Sequence, residues 1–213
     1  AASDVYKRQR IEPASSSVAT IYLCGNSTVV DQENEPWASW GQMLPLFFGT
    51  DAAVANYAES GESANTSIKA NRLKKALSQM KKGDYLFIEF GHNDQKQKGP
   101  GKGAYYSFMT NLKIYIDEVK AHGGIPVLVT PTRRRRFDKE GKTVNTHGEY
   151  PDAVRWIANK EKVLLIDLNE MTGILYEALG EKESKKAFVH YPMGSFEGQK
   201  KALADNTLSL IHI

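Results

Sequence analysis

Tyr85-Leu86-Phe87-Ile88-Glu89-Phe90-Gly91-His92-Asn93-Asp94 is the stretch on which the fold turns. Its first six residues form a short apolar run ending at a glycine, the pattern of a buried strand. The polar tetrapeptide Gly91-His92-Asn93-Asp94 then lies where such a strand ends. In open α/β sheets ligands bind beyond the carboxyl ends of parallel strands, so these side chains are placed for chemistry.

Working outward, similar apolar runs recur at 19–24, 52–57, 125–130 and 163–167. Helical patterns separate them. Ala64–Lys81 carries Ile68, Leu73, Ala76, Leu77 and Met80 at helical spacing. Ala104–His122 repeats Phe108, Leu112, Tyr115, Ile116 and Val119 before Gly123-Gly124 stops it. Shorter helices are expected at Trp40–Phe48, Pro151–Lys160 and Glu170–Leu179. Strand alternating with helix predicts a parallel sheet covered on both faces. Phe137–Thr143 reads as a hairpin-like excursion turning at Glu140-Gly141. The segment 187–200, with Pro192, Gly194 and Gly198, reads as a long loop before a last helical turn.

Composition narrows the function classes. The chain has 213 residues, 41% hydrophobic and 25% charged, and a formal net charge of +3. That is ordinary for one globular domain and too weakly basic to argue for nucleic acid. No apolar run approaches the ~18 residues of a membrane span. A single cysteine, Cys24, falls inside the first strand and reads as a small core residue. No His or Cys spacing suggests a metal, and no cofactor is expected.

Four separated blocks carry a resemblance. They are Gly25-Asn26-Ser27-Thr28 after the first strand, Gly61 in Asn56–Gly61, Gly91–Asp94, and Asp205-Asn206-Thr207. In this order the chain resembles the SGNH (GDSL-type) hydrolases from about residue 17 to Thr207. Trp40-Gly41-Gln42, Thr146–Pro151 and Ile166–Asn169 bring it nearest to the rhamnogalacturonan acetylesterases. The resemblance implies a three-layer α/β sandwich, with a flavodoxin-like five-stranded parallel sheet and helices on both faces. It also implies a serine esterase that removes O-acetyl groups from plant cell-wall polysaccharide, acting outside the cytoplasm (secreted or periplasmic). A monomer is expected, with an acetylated acidic polysaccharide as its partner and neither nucleic acid nor membrane.

The resemblance assigns roles by position. Ser27 is the nucleophile, weak until a base takes its proton. The backbone N–H groups of Ser27 and Gly61 and the side-chain amide of Asn93 bind the oxyanion. Asp205 orients the base. Thr28, His92 and Asp94 are expected at the substrate, and the run Arg133–Arg136 offers Arg133 and Arg135 for bidentate contacts to carboxylates. Each residue has a plainer reading alone: Ser27 as an N-cap, Gly61 as a turn glycine, Asn93 as an Asx turn, Asp205 as a cap, the arginines as a solvated loop. Trp37 and Trp40 are candidates for sugar stacking, with a core role equally open for Trp40.

The chain departs from the family pattern twice. Asn26 stands where the motif usually has aspartate, and Leu208 stands where the last block has its histidine base. The final six residues, 208–213, can be encoded by DNA whose reverse complement encodes Asp4 through Gln9. Residues 1–9 and 208–213 are therefore expected to be non-native end scars flanking a hydrolase domain over 10–207. Of the other histidines, His190 is the candidate substitute base. His122 reads as a surface residue, His147 as part of a loop, and His212 lies in the scar. Two expectations follow: an inactive chain, and an apolar groove left by a final helix that the family has after its histidine. The rival readings are a carbohydrate-binding pseudoenzyme and a related esterase acting on another acetylated glycan or lipid.

Overall fold

The computed structural model describes Ser15 and residues 17–210, without the side chains of Ser209 and Leu210. Of the expected scars, residues 1–9 and 211–213 lie outside that description.

Eight strands are present among the described residues: β1 (Ala19–Cys24), β2 (Trp37–Ala38), β3 (Ala52–Asn56), β4 (Tyr85–Glu89), β5 (Ile125–Val129), β6 (Leu164–Ile166), β7 (Phe188–Tyr191) and β8 (Leu203–Leu210). Five form one sheet in the order β3-β1-β4-β5-β6, and every pairing in it is parallel. The five expected strands are these five. Their alternating side chains divide between two cores, because a parallel sheet is buried on both faces. Tyr22, Cys24, Leu86, Ile88 and Phe90 pack with α3 (Arg72–Leu77), α4 (Met109–Ala121) and α5 (Tyr150–Glu161). Ile21, Leu23, Val54, Tyr85 and Phe87 pack with Val29 and with Trp40 of α1 (Trp40–Met43). Cys24 is a core residue, its thiol pushed up to about 12 by burial.

The expected helix over 64–81 is two helices. α2 (Ala64–Lys69) starts at a reciprocal cap between Ser63 and Thr66, and Asn71 then adopts φ 60° before α3. Asparagine tolerates that left-handed turn, so the hydrophobic spacing continues through a break in the backbone. Upstream of α4, Ala104–Phe108 forms a wide π turn. The final helix, α6 (Leu168–Glu183), bends at Gly180. Phe137 and Thr143 pair across the expected excursion, with Gly141 at φ 76°.

The C-terminal quarter corrects the sequence reading. In place of a long loop and a helical turn, β7 and β8 pair antiparallel, and β2 adds to β8 to make a second, three-stranded sheet. Phe188-Val189-His190-Tyr191 is rich in aromatic and β-branched residues, and that strand propensity outweighs the turn residues that follow it.

Beside this sheet, Met171, Ile174, Leu175 and Leu179 of α6 and Leu164 and Leu165 of β6 are all exposed. All six are large apolar side chains open to solvent.

Candidate active site

Three loops converge at the carboxyl ends of β1, β3 and β4. After β1 the chain turns so tightly that the carbonyl of Asn26 accepts from Val29 N and Val30 N, at 2.9 and 3.0 Å. Ser27 sits half-buried at the head of that turn. The turn is not continued into a helix. Gly25 permits it sterically: a Cβ there would lie 2.5 Å from Val29 Cγ2 and 2.9 Å from the carbonyl of Glu89. Gly41 plays the same part from α1, since its Cβ would meet Val29 O at 2.2 Å. The turn is thus pressed between β4 and α1.

The loop after β3 brings Gly61, exposed and at φ 82°, a conformation that favours glycine. The loop after β4 brings Asn93. Its side-chain amide donates one hydrogen to Glu62 O at 2.9 Å, and its carbonyl accepts from Lys96 Nζ at 2.7 Å. One Asn93 N–H thus locks the β4 loop to the residue after Gly61 and leaves the second amide hydrogen available. Asp94 is buried, and its two oxygens accept Ala64 N and Gly91 N, each at 2.9 Å. Burial raises its carboxyl to about 6 against the lowering effect of those amides. Asp94 therefore braces the start of α2 and its own loop, and both oxygens are occupied.

A buried polar network lies behind Ser27. Thr28 N and Thr28 Oγ1 both lie on Asn26 Oδ1, at 3.1 and 3.0 Å. Thr28 Oγ1 is also 2.5 Å from Glu89 Oε1. The other Glu89 oxygen accepts Trp40 Nε1, and His92 Nε2 lies 3.6 Å from Oε1. His92 Nδ1 meets His147 Nε2 at 3.0 Å. Burial drives both imidazoles toward the neutral form: His92 is held well below its usual value and His147 lies at about 3, with nearby arginine charge adding to burial. Glu89 moves the other way, to about 7, because burial outweighs its hydrogen bonds. The sequence reading gives Glu89 no role. Its signal was a single acid inside an otherwise apolar strand. Trp40 is likewise engaged by its indole N–H rather than displayed for a sugar.

The arginine run is placed differently from its expected role. Arg135 is buried and donates to Ser184 Oγ and Asn206 Oδ1, each at 3.0 Å, and to the carbonyl of Glu181. Arg133 donates to Thr143 Oγ1 at 2.8 Å and Asn169 Oδ1 at 3.3 Å. Both guanidinium groups serve internal acceptors that tie α6 and β8 to the sheet. These are the partners, in this structure, of the two side chains expected at substrate carboxylates.

Asp205 lies half-buried in β8. Its carboxylate accepts Thr207 N at 2.7 Å and Leu208 N at 3.0 Å, and these are its hydrogen bonds among the described residues. Thr207 and Thr28 both line a small cavity of about 150 Å³ between α1 and α6, so the last block does reach the neighbour of Ser27. His190 Nε2 is 2.9 Å from Asn206 Oδ1. Among the described residues no histidine is hydrogen-bonded to Ser27 or Asp205, and no group of three or more His, Cys, Asp or Glu side chains is placed to hold a metal. No helix of the described residues is long and apolar enough to cross a membrane.

Comparison with known proteins gives the family and the fold. The GDSL-like Lipase/Acylhydrolase family matches residues 23–190. Rhamnogalacturonan acetylesterase RhgT of Bacillus subtilis (strain 168) is 39% identical over 189 residues, covering 88% of this chain and 81% of that protein. The probable rhamnogalacturonan acetylesterase YesY of the same organism is 33% identical, covering 76% of each. Among solved structures, Bacillus subtilis YxiM superposes with a TM-score of 0.76 at 28% identity, covering 93% of this chain and 53% of that longer one. A catalytic mutant of the acetylxylan esterase Axe2 from Geobacillus stearothermophilus shares the fold, with a TM-score of 0.55 at 21% identity over 79% of this chain and 85% of that one.

Proposed function

The chain belongs to the GDSL-like lipase/acylhydrolase family of carboxylic ester hydrolases, and on that premise we propose that it is built to remove O-acetyl groups from rhamnogalacturonan. The observation that carries this reading is the junction of the β1, β3 and β4 loops. There Glu59 N donates to Gly25 O at 3.2 Å, tying the loop of Gly61 to the turn of Ser27, and the Asn93 amide donates to Glu62 O in that same loop.

Ser27 attacks the acetyl carbonyl. The charge that develops on its oxygen is met by the N–H groups of Ser27 and Gly61 and by the free hydrogen of Asn93. Such donors act without reorganising, and losing one typically costs ~10²–10³ in rate. Water then cleaves the acetyl-enzyme. Thr28, His92 and Asp94 act behind this surface, holding the turn and the β4 loop. A polymer substrate places the site of action outside the cytoplasm.

The base is the position to test. Leu208 occupies the place where the family pattern has histidine, three residues after Asp205. We expect the chain as it stands to release acetate barely above background, because removing a triad member leaves only ~10³–10⁴ over water in well-studied cases. The substitution Leu208→His should raise release from acetylated rhamnogalacturonan and from an aryl acetate by at least about tenfold. A folded Leu208→His chain with no gain on either ester sinks the reading.

One observation favours a second reading. The Asp205 carboxylate caps its own turn. A carbohydrate-binding relative without catalysis would show binding of the polysaccharide and no acetate release in either form.

A further inference from the structure

The network behind Ser27 contains more acceptors than protons if Glu89 is charged. Asn26 Oδ1 is fixed as an acceptor by Thr28 N at 3.1 Å, so its amide cannot be flipped without setting two donors face to face. The Thr28 hydroxyl lies 3.0 Å from that oxygen and has a single proton, which fills this contact only if it is not given to Glu89. Yet the same hydroxyl is 2.5 Å from Glu89 Oε1. Two oxygens at that distance need a proton between them, and only Glu89 can supply it while Thr28 serves Asn26. Its other oxygen is an acceptor, taking Trp40 Nε1–H, and the backbone of Thr132 also donates to the carboxyl group. A neutral Glu89 satisfies every one of these contacts. An ionised one takes the Thr28 proton and leaves Thr28 and Asn26 with two facing lone pairs.

We propose that Glu89 is a positioning residue that holds a proton at the floor of the site, passing a hydrogen bond through Thr28 to Asn26 and so fixing the turn that presents Ser27. The family motif usually has its acid at position 26; here the acid sits at the far end of the Thr28 hydroxyl, and Asn26 is its neutral acceptor. The proposal rests on the reading of Ser27 as nucleophile only for its consequence in catalysis. The proton arrangement stands apart from it.

Several ionisable groups face Glu89. His92 lies on its own loop and His147 behind His92, Arg134 reaches the carbonyl of His92, and Tyr176 approaches from α6. Glu89 has no cationic partner at salt-bridge distance among the described residues except His92, which burial keeps neutral. The hydrogen bonds of Thr28, Trp40 and Thr132 favour the anion, but burial without a cationic partner outweighs them, and the carboxyl group keeps its proton.

The test compares melting temperatures of the wild type and Glu89→Gln between about pH 4.5 and pH 8, taking the difference so that the histidines and Asp94 cancel. Glutamine can donate to Thr28 and accept from Trp40, as the neutral acid does. A Glu89 that keeps its proton in the native state, while the unfolded chain loses it near pH ~4.3, makes the wild type lose stability relative to Glu89→Gln as pH rises, with a plateau above about 7. The pair Asn26→Asp and Asn26→Asp/Glu89→Gln should show the same limb displaced to higher pH, because a second carboxylate on Thr28 opposes ionisation of the first. Infrared difference spectra should lose a neutral carboxyl band in Glu89→Gln. In the Leu208→His background, kcat should fall as Glu89 ionises, and Glu89→Gln should lack that fall. A flat difference, a difference of opposite sign, or a Glu89→Gln chain that fails to fold overturns the proposal. Loss of all acetate release with the melting limb intact would instead count against the esterase reading alone.

Discussion

At the scale of single residues the site depends on close approach. Gly25 and Gly41 have no room for a side chain, because the Ser27 turn is pressed on β4 from one side and α1 from the other. Gly25→Ala would force Val29 or the end of β4 to move, and overpacking of this kind costs about 1–3 kcal/mol. Chemical denaturation should register that loss, with a lower midpoint and an unchanged slope. Ser27, Gly61 and Asn93 were legible as candidates because each follows a strand and stands in an ordered set of blocks. Glu89 was not legible. A strand residue in an apolar run reads as core, and only the folded β1 turn shows that Thr28 and Trp40 close on its carboxyl group. The arginines show the opposite failing. Four in a row look solvated, yet two of them find their partners in α6, β8 and the Thr143 excursion, far away in sequence.

Elements are the scale at which those arginines act. Arg135 joins the hinge of α6 near Glu181 to Asn206 in β8, and its backbone N also donates to Asn206 O at 2.8 Å. Arg135→Ala should destabilise the protein by about 1–3 kcal/mol, since buried acceptors are left unpaired. Its effect on the KM ratio between acidic polymer and neutral aryl ester should be small. A selective rise in KM for the polymer would return Arg135 to the substrate. The five strands of the main sheet were readable from short apolar runs, and their parallel order from the helices between them. Two features escaped that logic. The break at Asn71 leaves hydrophobic spacing intact while turning the backbone. β8 pairs with β7 on one side and with the distant β2 on the other, and while Phe188–Tyr191 has strand propensity of its own, no local pattern encodes the pairing with β2.

The whole molecule should show opposing pH dependences. Glu89 and Asp94, raised by burial, keep protons that the unfolded chain releases, so their contribution falls as pH rises from about 4 to about 7 and to about 6. His92 and His147, lowered by burial, stay neutral while the unfolded chain takes up protons below about 6.5, so their contribution falls as pH drops through that value. The two sets roughly cancel between about pH 4.5 and 6. Below about 4 only the histidine penalty continues, joined by the loss of the Glu177 carboxylate, which accepts Thr143 N at 2.9 Å and Thr143 Oγ1 at 2.8 Å and is lowered to about 2 by those bonds. A melting temperature that is nearly flat from about pH 4.5 to 6.5 and falls steeply below 4 is expected; a continuous climb with acidification would contradict these buried groups. The exposed leucines and methionine of α6 and β6 should also make the isolated chain prone to self-association, with burial of each worth ~1.5–3 kcal/mol. The account as a whole rests on Ser27 being aimed at an acetyl ester, and acetate release from acetylated rhamnogalacturonan by the Leu208→His chain, with and without Ser27→Ala, tests that most directly. Release that disappears with Ser27→Ala is the predicted result; release indifferent to Ser27, or none from a folded Leu208→His chain, would contradict it.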